Sequence, residues 1–422
     1  MKTTAPLTKT QMGLYVECDS HKGEAIYNIP YIYELDGSLD GERLCRAIEA
    51  AVAVHPALFT RFEINDEGEP RQTVDDTESF AVSVEKIQDI EAEKTSFIQP
   101  FDLLKDRLFR IRLLKDKEHF YILQDTHHII SDGSSRKILL SDIETAYNGG
   151  ILETEPLTQS DVALAEEELR KTPAFETSKQ WYAQNFDCSD CYSPLLPDLE
   201  ETEPKEGRIT RALAVNMDKV ESWCKEKGIF KSTFFTAAYA CLLARFNNES
   251  EVLFDTVYNG RADKKLSHTM AMLVRTFPVY AKYTDDTTVL DFLKSLQEQM
   301  TGCRQHEAYA YSDMVTDLGV QAATLFAWHG TLFDSKTFCG KPMNSTRLNN
   351  NTREVPIYLK AYIKDGHACI EAEYDASLYS EELVNSYLES YEAVVEGLLA
   401  QDFLSGIDVT TPKQIEDRKS VV

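Results

Sequence analysis

Residues 119–140 of this 422-residue chain leave few folds open. His119-Phe120-Tyr121-Ile122-Leu123-Gln124-Asp125 is aromatic, branched and short enough for a strand. Ser134-Ser135-Arg136-Lys137-Ile138-Leu139-Leu140 turns to a helical pattern. Between them lies Thr126-His127-His128-Ile129-Ile130-Ser131-Asp132-Gly133, which puts two imidazoles near a strand end, followed by a carboxylate and a glycine. Neighbouring residues on an extended segment point to opposite faces. One histidine should therefore face the core and the other a cleft. Imidazole is the side chain best suited to proton transfer near neutral pH. Asp132 can fix a local geometry, and Gly133 allows close backbone approach and offers a free N–H. A pair of structural histidines at a strand end fits these residues equally well.

The same mixture of periods runs through both halves of the chain. In the first, Leu7–Val16 starts a helix capped by Thr8 or Thr10, and Tyr27–Leu35 reads as a strand. Leu44, Ile48, Ala51 and Val52 recur at helical spacing within Leu39–Val54, which His55-Pro56 stops. Strands follow at Leu58–Ile64 and Leu108–Leu114, and the helix after Gly133 runs to Tyr147. Residues 151–206 change character, with acidic runs and prolines that mark a crossing between lobes near Pro173. The second half offers a strand at Arg208–Val215, a helix at Lys219–Lys227 and a further helix capped by Ser232 or Thr233. Strands at Val252–Tyr258, Met272–Val279 and Thr324–Trp328 flank a helix at Val289–Cys303. Cys339–Arg353 reads as a loop, Ile357–Ile363 with His367–Tyr374 as a hairpin, and Ser380–Leu399 as the last helix. The expectation is two α/β lobes, 1–173 and 174–405, followed by a linker at 406–422.

With 70 acidic against 44 basic residues, the net charge is −26, which argues against a nucleic-acid or anionic-membrane surface. Nine dispersed cysteines read as reduced thiols of a cytosolic protein. Cys188 and Cys191 form a lone C-x-x-C without a second ligand pair, so no metal is expected there. None is expected at the double histidine either, since its neighbours point apart on one strand. Ser131, Ser134 and Ser135 lie near the histidines but outside any Gly-x-Ser-x-Gly elbow, which argues against a serine hydrolase. His306 and His329 read as surface or core residues before they read as site residues. No run of about 18 apolar residues marks a membrane span.

Thr126–Gly133 resembles the His-His-x-x-x-Asp-Gly signature of condensation domains of nonribosomal peptide synthetases, within the superfamily of chloramphenicol-acetyltransferase-like acyltransferases. Other stretches agree in order. Leu7–Gln11 with Tyr27-Asn28 is similar to the family's opening motif, and His55–Phe62 to its second. Phe101-Asp102 and Leu108–Arg110 match the run before the histidines. Asn259-Gly260-Arg261 with Met272–Pro278 resembles the fifth motif, and His306–Tyr309 the sixth. The resemblance covers residues 7–400. Phe59 stands where the family often has arginine, Arg275 where asparagine is frequent, and Ser134 where an aromatic is common. These departures bear on subclass and substrate rather than on fold. Heterocyclising relatives replace both histidines with aspartates, and here both are present.

The resemblance implies two acetyltransferase-like lobes in a V with a tunnel between them and the histidine loop at its middle. It implies carrier proteins that present thioesters on phosphopantetheine arms, an adjacent adenylation domain, and no permanently bound cofactor. His128 is the expected cleft-facing imidazole and Gly133 the oxyanion donor, while His127 and Asp132 hold the loop. Arg261 is the favoured ion-pair partner of Asp132, with Arg61 and Arg275 as alternatives. Few residues precede the first motif, which favours a starter type that N-acylates the first amino acid from a fatty acyl carrier or acyl-CoA. An elongation domain, a non-catalytic domain that recruits partners and a stand-alone acyltransferase are the competing readings.

Overall fold

The structure, a computed structural model, describes residues 4–75, 77–188, 191–200, 203, 205–284, 286–332, 337–348 and 355–409. The chain forms two compact units. The first comprises Met1–Thr172, Asn259–Arg275 and Ser335–Thr352, and the second comprises the remainder. The break at Thr172–Pro173 falls where the composition changes. The expectation that 174–405 forms one lobe is corrected, because two of its segments belong to the first unit.

The first unit is built on a five-stranded sheet in the order Asn344–Arg347, Tyr31–Asp36, His119–Thr126, Phe109–Lys115, Val84–Lys86. The His119–Thr126 strand pairs antiparallel with both neighbours, Tyr33 opposite Ile122 and Leu113 opposite Ile122. Its alternation explains its nearly continuous apolar sequence. Phe120 and Ile122 enter the core formed with Leu44, Ile48 and Val52 of helix Gly41–Ala53 and Leu139 and Ile143 of helix Gly133–Tyr147. Tyr121 and Leu123 face the other side, against Ile32, Leu114 and Phe97 of helix Ile90–Phe97. Thr8 caps the first helix, Lys9–Ser20, in a reciprocal box with Gln11.

Several strands escaped the sequence pattern, among them Thr4–Pro6, Pro70–Val74, Val84–Lys86 and Asn344–Arg347. Asn344–Arg347 lies within the segment expected to be a loop, yet it pairs antiparallel with Tyr31–Asp36. It is a polar edge strand, and edge strands carry such residues because one side faces solvent. Leu58–Ile64 also differs. Pro56–Phe59 is a 3-10 turn, and the strand begins only at Thr60. The proline that stops helix Gly41–Ala53 also supplies the φ that the turn needs.

The second unit carries a six-stranded sheet in the order Arg275–Lys282, Glu251–Tyr258, Leu325–Trp328, Ile357–Lys364, His367–Asp375, Glu206–Ala212. Leu325–Trp328 pairs parallel with both neighbours, and the Ile357–Asp375 hairpin turns at Asp365-Gly366, both with positive φ. Helix Lys231–Asn247 is buried from Thr233 to Ala244. The expected cap at Ser232 or Thr233 is not used. The helix starts at Lys231, and the Phe230 N–H donates instead to Gln297 Oε1 at 2.7 Å. Phe230 at the cap position is exposed and offers no side-chain cap, and burial begins only at Thr233. Ile407 is buried in the same core, so the fold continues past 405, and 410–422 of the expected linker lie outside the described residues. Among the described residues no helix is long and apolar enough to cross a membrane.

Candidate active site

The His119–Thr126 strand ends one residue before the double histidine. His127 donates its backbone N–H to Leu108 O at 2.9 Å, and His128 donates its own to Tyr27 O at 2.8 Å. His128–Ile130 then forms one 3-10 turn, and Asp132 caps helix Gly133–Tyr147. The histidines are thus not successive strand residues, as the sequence pattern suggested. His127 is the extended residue that caps the turn, and His128 is the turn's first residue.

Their environments differ accordingly. His127 is 3% exposed. Its Nδ1 accepts the N–H of Ile129 at 3.1 Å, which leaves the proton on Nε2, 3.5 Å from Cys18 Sγ. Tyr27 and Phe101 pack around the ring. Burial, and then the neighbouring His128, push its pKa down to about 3. His127 is therefore a neutral structural residue at any working pH. His128 is half-buried. Its Nδ1 lies 3.1 Å from Met272 Sδ, and its Nε2 makes no hydrogen bond to any described residue.

Asp132 is 2% exposed and every lone pair is occupied. Oδ1 accepts from Ser135 N–H at 2.8 Å and Arg261 Nη2 at 3.0 Å, and Oδ2 accepts from Arg261 Nη1 at 2.7 Å and Leu273 N–H at 3.1 Å. A carboxylate so committed has no capacity left for proton transfer. The bidentate pair joins the helix N-terminus to segment 259–275 of the same unit. The two alternative arginines are engaged elsewhere: Arg61 Nε donates to Glu78 Oε1 at 3.0 Å, and Arg275 Nη1 to Glu166 Oε2 at 3.1 Å. Gly133 opens the helix, so its N–H has no intrahelical acceptor and lies at the positive end of the helix dipole.

Three residues named in the sequence motifs support this loop in a way the sequence did not assign to them. Gln11 is fully buried and donates to Ile129 O at 2.9 Å, tying helix Lys9–Ser20 to the turn. Ser135 Oγ accepts the Ala271 N–H at 3.1 Å, and Met272 meets His128. Gln11 could have been found from the Thr8–Gln11 capping pattern. The other two depend on a pairing across more than 130 residues of sequence. His306 stacks on Trp181 at 4.7 Å and His329 Nε2 meets Tyr358 OH at 2.8 Å, both contacts within the second unit. Cys188 is buried, and its thiol is pushed up to about 12 chiefly by that burial, which disfavours a thiolate nucleophile or ligand.

Gly260 fixes the turn that delivers Arg261. It has φ +63°, and a Cβ there would lie 1.9 Å from Leu273 O. Gly260→Ala is expected to cost about 2 kcal/mol or more, read as a lower urea midpoint, because both the left-handed backbone and the clash must be relieved. The same shift displaces the Leu273 N–H that serves Asp132.

The family model for the condensation domain matches residues 1–419. Bacitracin synthase 3 of Bacillus licheniformis is 25% identical over 415 residues, covering 93% of this chain. The chain spans 6% of that relative's length. Among solved structures, the first condensation domain of the calcium-dependent antibiotic synthetase, in complex with a substrate analogue, has a TM-score of 0.80 at 16% identity and covers 97% of this chain and 100% of its own. The starter condensation domain of rhizomide synthetase has a TM-score of 0.79 at 18% identity, with coverage of 97% and 100%. The match to the family model over nearly the whole chain agrees with the histidine turn and the Asp132–Arg261 clasp: this chain belongs to the condensation-domain family.

Proposed function

We propose that this domain forms an amide bond between a donor acyl thioester, on a carrier protein or coenzyme A, and the amine of an aminoacyl thioester presented on the phosphopantetheine arm of a carrier protein. The observation that carries this reading is the half-buried His128, whose Nε2 makes no hydrogen bond to a described residue, beside a helix N-terminus. The amine nitrogen attacks the thioester carbonyl, the carbonyl oxygen gains charge, and the C–S bond then breaks. His128 Nε2 orients the neutral amine or accepts its proton, which can pass on to the departing thiolate. The Gly133 N–H, reinforced by the helix dipole, receives the oxyanion. Asp132 and Arg261 hold that N–H and the histidine turn in place, and His127 keeps the turn packed without adding charge.

Within this reading the donor is a fatty acyl thioester, on a carrier or as coenzyme A, and the domain is of starter type. The larger synthetase would also supply an adenylation domain to load the acceptor carrier. The test incubates the chain with an aminoacyl carrier protein and, separately, fatty acyl-CoA, fatty acyl carrier or peptidyl carrier. N-acylated product is read by mass spectrometry. Product from either fatty acyl donor supports the starter reading, and product from the peptidyl donor alone replaces it with elongation. Product only with hydroxyl acceptors would indicate a stand-alone ester-forming transferase. Carrier binding without product from any donor would mark a recruiting domain and sink the catalytic reading.

A further inference from the structure

A second cluster of chemistry-bearing side chains lies in the first unit, outside the histidine turn. His55 is fully buried between two carboxylates, with Nε2 2.9 Å from Asp142 Oδ2 and Nδ1 2.7 Å from Glu155 Oε1. His268, on segment 259–275, places its Nε2 3.1 Å from the same Asp142 Oδ2. His55, Asp142 and His268 bring one ligand atom each to within 4.8 Å of one another.

Two features distinguish this group from an ordinary buried ion pair. The His268 Nε2 atom is buried and close to a carboxylate oxygen, yet it makes no hydrogen bond among the described residues. The nitrogen and oxygen are near each other without being aimed at each other. Two ligands of one tetrahedral metal stand in that relation: metal–ligand bonds of about 2.0–2.1 Å put the ligand atoms about 3.3 Å apart. The second feature is Glu155. It holds His55 by Nδ1, the nitrogen opposite the one facing the cluster, and so makes the outer-shell carboxylate–histidine arrangement that orients metal-binding imidazoles and raises their basicity. Its side chain is 1% exposed, and Oε2 has no hydrogen-bond partner among the described residues.

We propose that His55 Nε2, His268 Nε2 and Asp142 Oδ2 form a site for a divalent transition metal, zinc by the chemistry of the donors, with Glu155 as the supporting outer-shell carboxylate. Two imidazoles and one carboxylate suit zinc better than magnesium or calcium, which take oxygen ligands. The fourth position is left to water. The charges agree: a dication with neutral His55 and His268 balances Asp142 and Glu155, and the proton on His55 Nε2 leaves to solvent as the metal enters. The His268 side chain is 31% exposed, which provides the way in.

The site would act as a clamp. Asp142 lies nine residues along the helix that Gly133 opens, about 13.5 Å from it. His268 lies on the segment that brings Arg261 to Asp132 and Met272 to His128. Glu155 Oε1 accepts the Met270 N–H of that segment at 2.9 Å. A bound cation would cross-link helix and segment behind the histidine turn without touching substrate.

The test uses the full chain, stripped with chelator and titrated with cobalt(II) and zinc. One equivalent of cobalt per chain is expected, with d–d absorption and no thiolate-to-cobalt charge-transfer band. His268→Asn, at a partly exposed side chain, should keep its circular dichroism and lose that equivalent. Glu155→Gln should weaken zinc binding about 10–100-fold. Zinc should raise the melting temperature of the wild type and leave that of His268→Asn unchanged. The proposal is overturned if no stoichiometric uptake occurs, if His268→Asn binds as the wild type does, or if a charge-transfer band assigns the metal to thiolates such as Cys188 and Cys191.

Discussion

His128→Ala is expected to lower the rate of amide formation by about 10²–10⁴-fold, the usual range for a positioned acid–base group. The fall should appear in kcat more than in the KM for either carrier, because the imidazole meets the reacting nitrogen and not the carrier surface. The fold should survive. His128 is half-buried, its side chain's hydrogen-bond-range contact among the described residues is Met272, and the turn is held by its backbone N–H and by His127. The measurement is single-turnover formation of N-acyl product by mass spectrometry. A rate within about threefold of wild type would remove the imidazole from the mechanism and leave the oxyanion contact and positioning as its substance. Aminoacyl acceptors with amines of lower pKa divide the remaining possibilities. A base should matter less as the amine becomes easier to deprotonate, whereas a positioning group should matter equally for all of them.

His127→Ala makes an informative contrast. Its ring is enclosed by Tyr27, Phe101 and Cys18 and accepts the Ile129 N–H, so its loss opens a cavity and orphans a buried donor. Sequence gave these adjacent histidines different tasks by assuming an extended segment. The different environments are there, but the cause is otherwise: the strand stops at Thr126 and the chain turns at His128. Local periodicity sufficed for strands that bury both faces, as in His119–Thr126, and for helices with an apolar stripe, as in Gly41–Ala53. It failed at Asn344–Arg347, where four polar residues become a strand because a partner edge is available, and at Lys231, where the helix begins without a side-chain cap. The interleaving of 259–275 and 335–352 into the first unit was not legible in composition. Nor was the cluster of His55, Asp142, Glu155 and His268, whose members have no common spacing and meet only after folding.

Arg261→Ala is expected to cost about 3–5 kcal/mol of stability, the range for removing one partner of a buried ion pair. The side chains are 4% and 2% exposed, so Asp132 would be left without its counter-ion in a site that water reaches poorly. Its Oδ2 would retain only the Leu273 N–H. Asp132→Asn should cost less. Asparagine still caps a helix well, so the Ser135 N–H keeps an acceptor, while Arg261 retains Asn259 O and Thr269 O as neutral partners. The two changes share one interaction, so the double variant should lose much less stability than the sum of the single losses. Urea denaturation of all four proteins measures this directly, and additive losses would contradict the clasp. Activity should report a second consequence. Arg261 lies on the segment that delivers Met272 to His128 and pins the residue that caps the helix beginning at Gly133. Arg261→Ala should therefore reduce kcat even under conditions where the chain remains folded, because the imidazole and the oxyanion donor are positioned through the same bidentate pair.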